Sequence, residues 1–71
     1  MLNKVFNSQY MGDGRTLELG WDGHLYTVTE TTKKSSRVIG SFIYFSEANI
    51  EFFEYFKENY EEDMSRDFKE A

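Results

Sequence analysis

The sequence predicts an α+β fold, a four-stranded antiparallel meander followed by one C-terminal amphipathic helix, in a single domain over residues 1–71. Three observations predict it. Asp22-Gly23 is a hairpin-turn dipeptide set between two segments of alternating polarity. Arg37 to Phe45 is dense in β-branched and aromatic residues, which favour strands. After Phe45 the period changes: Glu47, Glu51, Glu54, Glu58 and Glu61 follow the 4-3-4-3 spacing that keeps side chains on one helix face.

The first strand is expected over Val5 to Met11, with weak strand formers at Asn7-Ser8-Gln9. Gly12-Asp13-Gly14 then marks a turn that brings Tyr10 opposite Leu17 and Phe6 opposite Trp21. A type I′ turn at Asp22-Gly23 pairs Trp21 with His24, Leu19 with Tyr26, Leu17 with Val28 and Arg15 with Glu30. Every large apolar residue of that pair except Leu25 then falls on one face. The other face carries Thr16, Glu18, Gly20, Leu25, Thr27 and Thr29. A one-residue slip would invert this partition, so the pattern pins which face is buried. The polar run Thr31 to Ser36 reads as a loop. The fourth strand, Arg37 to Phe45, is apolar on both faces, so it is covered on both sides or lies at a dimer seam. Ser46 suits a helix N-cap, with Phe45 and Ile50 placed as a hydrophobic staple, and the helix is expected to reach Tyr60–Met64.

On the helical wheel the carboxylates take one face, and Ile50, Phe53, Phe56, Tyr60 and Met64 take a second. Phe52 and Tyr55 fall on a third side, beyond the reach of one small sheet. Exposed aromatics on a small protein mark an interface, so these two predict a helix-mediated homodimer. Size points the same way. A chain this short buries only roughly 60% of the surface its unfolded form exposes and usually needs a staple. The sequence has no Cys and a single histidine, His24, which excludes disulfides and thiolate metal sites. No cofactor is expected, and oligomerisation is the remaining aid.

The N-terminal Met1-Leu2-Asn3-Lys4-Val5-Phe6 lacks the apolar core of a signal peptide, and the longest apolar run, Phe42 to Phe45, is far too short to span a bilayer. A cytoplasmic protein without membrane contact is the expectation. The net charge of −5 is unevenly spread. Residues 1–46 hold five basic against four acidic residues, whereas residues 47–71 hold nine acids against three basic residues. Enzyme chemistry finds no support: there is no Cys nucleophile, His24 has no Ser or acid at motif spacing, and Gly12-Asp13-Gly14 lacks the length and Lys-Ser/Thr of a phosphate loop.

Two surfaces remain as binding candidates. The five glutamates from Glu47 to Glu61 span about 21 Å of helix, a repeat of negative charge like that of a nucleic-acid backbone. They suit a basic groove on a nucleic-acid-binding protein, against the plainer reading of a solvated face. Lys33, Lys34 and Arg37, at the turn before the fourth strand, are the candidates for phosphate contact. Trp21 and Tyr26 sit on the apolar face and read as core.

In its ββββα order the chain resembles PUR repeats, and more distantly Whirly and transcription-coactivator single-stranded-DNA-binding domains. The resemblance runs from Arg15 to Tyr60. It is carried by Gly23-His24-Leu25-Tyr26-Thr27-Val28-Thr29-Glu30, by Lys34-Ser35-Ser36-Arg37-Val38-Ile39, and by Ile50-Glu51-Phe52-Phe53-Glu54-Tyr55-Phe56. It implies a homodimer that binds single-stranded DNA or RNA on the sheet. One departure stands out: where PUR repeats place basic residues beside the turn glycine and along the sheet, this chain has Asp22, Glu18 and threonines. The fold can therefore be shared while nucleic-acid binding is weakened or lost. The acidic C-terminal half and the small size carry the competing expectation, a small acidic inhibitor of the DNA-mimic or phage anti-defence type.

Overall fold

The computed structural model describes residues 2–60. It has strands β1 (Lys4–Gly12), β2 (Arg15–Trp21), β3 (Tyr26–Thr31) and β4 (Ser36–Phe42), then helix α1 (Phe45–Asn59). The strands form one antiparallel sheet in the order β1-β2-β3-β4, and α1 packs across one face. The ββββα architecture is the predicted one.

The registers differ from prediction in an instructive way. Between β2 and β3, Trp21 pairs with Tyr26 and Leu19 with Val28. The loop is thus Asp22 to Leu25, four residues where the sequence suggested two. The Asp22 carboxylate builds it, accepting from the His24 and Leu25 amides at 2.8 Å each and from the Thr27 hydroxyl at 3.1 Å. The backbone donors of Leu25 and then His24 hold the Asp22 carboxyl below the usual carboxylate range. Because the register moves by an even number, each side chain keeps its predicted face.

Strand β1 moves by one residue from Asn7 to Tyr10, and there the faces change; Lys4, and not Phe6, stands opposite Trp21. Asp13 and Gly14 (φ 59° and 75°) make the tight turn with Gly12 opposite Arg15. A bulge at Met11 then sets Gln9 opposite Leu17, and Tyr10 opposite Thr16. The predicted Tyr10–Leu17 pair is corrected accordingly: Met11 is fully buried, while Tyr10 is turned outward with its hydroxyl accepting from the Gly14 amide. A second irregularity at Phe6 aims that ring at Tyr26 and Phe45, with centroids 6.0 and 5.6 Å away. Gly20 sits where β1 crosses closely; a Cβ there would collide with the Lys4 carbonyl.

The core is Met11, Leu17, Leu19 and Val28 from the sheet with Ala48 and Phe52 from the helix. The N-cap is Tyr44, with no side-chain cap bond, so Ser46 does not cap. Among the described residues α1 ends at Asn59, with Tyr60 extended and its amide bonded to the Phe56 carbonyl. The expected extension to Met64 lies outside the described residues.

Candidate functional site: the outer face of the helix

The side of α1 that meets the sheet is Ala48, Phe52, Tyr55 and Phe56. This corrects the expectation that Phe52 and Tyr55 stand clear of the sheet to hold a partner. Phe52 is fully buried. Tyr55 is half-buried and its hydroxyl donates to Glu30 Oε1 at 3.0 Å while accepting from Arg37 Nη2 at 2.8 Å. Two forces set this phase. Ala48 has no side chain beyond Cβ, so the helix can approach the sheet closely. Glu30, on the helix side of β3, needs a polar partner from above.

Rotation of the helix to that phase turns other residues out. Ile50 and Phe53 are 58% and 46% exposed. On the wheel they lie beside the acid row, of which Glu47, Glu54 and Glu58 are exposed and Glu51 half-buried. Glu61 lies outside the described residues. The outer face is therefore a row of carboxylates with Ile50 and Phe53 along one side, and Lys57, the one basic residue of the helix, falls between those two on the wheel. Sequence reasoning identified the acid row and placed Ile50 and Phe53 on one face, but turned Phe52 and Tyr55 away from the sheet in their place.

Beneath the C-terminal half of α1 is a polar cluster centred on Glu30, whose side chain is 7% exposed. Arg15 donates to Glu30 Oε2 at 2.9 Å, and its other arm donates to the Asn59 carbonyl at 2.8 Å. Arg37 Nε donates to Oε1 at 3.1 Å. Burial pushes the Glu30 carboxyl up, but hydrogen bonds from Arg37, Tyr55 and Arg15 outweigh it and leave it below its ordinary value. Burial, then Glu30 itself, push the Tyr55 hydroxyl up. The cluster closes the helix end onto β2, β3 and β4.

Of the three residues expected to contact phosphate, Arg37 is engaged with Glu30 and Tyr55. Lys33 and Lys34 are exposed at the β3–β4 turn, which Thr32 organises by accepting from the Lys34 and Ser35 amides. The open face of the sheet carries a depression of about 370 Å³, lined by Thr27, Thr29, Thr31 and Ser36 with the acids Glu18 and Asp22, and bordered by Arg37 and Val38 of β4. The Thr29 hydroxyl is buried without a hydrogen-bond partner among the described residues. Trp21 and Tyr26 stack edge to face at 5.0 Å on the helix side, leaving Tyr10 as the ring that faces outward on the open side.

Among the described residues no three His, Asp or Glu side chains gather as metal ligands, and no helix is long and apolar enough to cross a membrane. Comparison of the chain with protein-family models, curated proteins and solved structures gives no match.

Proposed function

We propose that this chain is a non-enzymatic binding module whose working surface is the outer face of α1, and that it occupies a basic, nucleic-acid-type groove on a partner protein. The observation that carries this reading is the exposure of Glu47, Glu54 and Glu58 alongside Ile50 and Phe53. Burying apolar side chains supplies affinity, at roughly 25 cal/mol per Å². The carboxylates supply steering and choice of partner. From Glu47 to Glu58 the charges run along about 16 Å of helix. Such a partner is a nucleic-acid-binding protein met in the cytoplasm.

The test is capture of such a protein from cell extract on the immobilised chain. Wild-type protein retains it, salt elutes it, and duplex DNA displaces it. The triple variant Glu47→Lys, Glu54→Lys, Glu58→Lys binds it more than about 100-fold more weakly with an unchanged circular dichroism spectrum. Equal retention by the reversed variant, or indifference to competing DNA, would sink the reading.

A second reading places single-stranded DNA or RNA on the open sheet face, as the PUR-like resemblance implies. Its support is the exposed Lys33-Lys34 pair near the hydroxyl-lined depression and Tyr10. Against it stand Glu18 and Asp22 in that depression and the engagement of Arg37. Anisotropy of a labelled single-stranded oligonucleotide at low salt decides it. Saturable binding that weakens in Lys33→Ala/Lys34→Ala and falls with salt would favour the sheet; no binding leaves the helix as the working surface.

A further inference from the structure

Strands β1 and β4 are the two edges of the sheet, and they are guarded differently. An edge presents a row of unpaired backbone N–H and C=O groups, which proteins blunt with bulges, lysines, prolines or a cover. Strand β1 carries Lys4 and is broken at both Phe6 and Met11. Strand β4 has neither Lys nor Pro, and a single irregularity at Ile39. Its one charge, Arg37, bonds Glu30 and Tyr55 on the helix side while staying largely exposed. Apolar side chains line the same border. Val38 is 60% exposed, and Ile43 and Tyr44, just past the strand, are 71% and 65% exposed.

We infer that β4 pairs antiparallel with β4 of a second copy of this chain, joining two sheets into one of eight strands. Three arguments select this occupant and this seam. The edge opposes no like charges when it meets itself antiparallel, because Arg37 is its single charge and stands off its centre. The alternative seam, outer helix face to outer helix face, would bring two rows of Glu47, Glu54 and Glu58 side by side, where like charges repel. Finally, among the described residues six make up the fully buried apolar core, and covering Val38, Ile43 and Tyr44 adds the apolar burial that so small a chain otherwise lacks. The arrangement goes beyond the acidic-helix reading and leaves the outer face of α1 open in both copies.

The experiment is light scattering coupled to size exclusion over a concentration series, with backbone hydrogen exchange on the same samples. Wild-type protein runs at twice the chain mass of 8.4 kDa, and the amides of residues 36–42 exchange more slowly as concentration rises. Val38→Lys and, separately, Ser41→Lys weaken the dimer more than tenfold, while Ser8→Lys on the opposite edge leaves it intact. A monomer at every concentration, a dimer that survives both β4 substitutions, or one lost through Ser8→Lys alone would overturn the proposal. Should a β4 variant fail to fold, the wild-type exchange pattern decides: protection elsewhere with none on β4 overturns it.

Discussion

Phe52→Ala is expected to leave most of the protein unfolded at 25 °C, while Phe53→Ala, one residue along, leaves it folded. Phe52 is fully buried between α1 and the sheet and belongs to the core with Leu17, Leu19, Val28 and Met11. Truncating a buried phenylalanine removes its transfer free energy and leaves a cavity, together about 3–5 kcal/mol. A domain of this length holds about 4–10 kcal/mol in total, and its small size places it toward the low end. The loss is then comparable to the whole. Phe53 is 46% exposed and touches the core through one edge-to-face contact with Phe52 at 5.3 Å. Removing it costs about 1 kcal/mol. Urea denaturation of the two variants is the check. Similar losses at both positions would mean the helix is rotated from the phase described, and with it the whole assignment of Ile50 and Phe53 to the outer face.

Strand order and the position of the helix were legible because turn glycines and alternation are local signals. The β2–β3 register was misread by two residues without harm, since side chains repeat every two residues along a strand. The β1 register was misread by one, because bulges at Phe6 and Met11 leave no mark in an Asn-Ser-Gln stretch. There the error exchanged Tyr10 for Met11. The helix phase was misread for a different reason: α1 has aromatics on nearly every side, so its periodicity allows two solutions. Two residues broke the tie. Ala48 marks the side that comes closest to the sheet, and Glu30, an acid on the apolar face of β3, calls for Tyr55 above it. Both were readable as signals. The pairing of Arg15 with Glu30 was anticipated as a cross-strand contact, and it persists as a 2.9 Å ion pair although the backbone register differs.

Glu30→Gln is expected to lower stability by about 2 kcal/mol at neutral pH, by the cost of hydrogen bonds lost from charged groups in a buried setting. The Arg15 contribution dominates. Arg15 is 22% exposed and also holds the helix terminus at Asn59, whereas Arg37 is 69% exposed and its pairing is largely screened by solvent. Arg37→Ala therefore costs under about 1 kcal/mol. The acid limb supplies an independent check. The folded Glu30 carboxyl lies below its ordinary 4.5, so the folded state binds fewer protons there than the unfolded one. Its contribution is complete above about that ordinary value and is lost as pH falls through the lower folded value. The stability gap between wild type and Glu30→Gln should accordingly be constant from pH 7 to 5 and narrow below about 4.5. Some acid sensitivity persists in the variant, because Asp22 is lowered by its own turn amides and carries the same sign. A gap that stayed constant down to pH 3 would show that Glu30 acts by packing and not by charge, and the cluster joining Arg15, Glu30, Tyr55 and the end of α1 would lose its electrostatic basis.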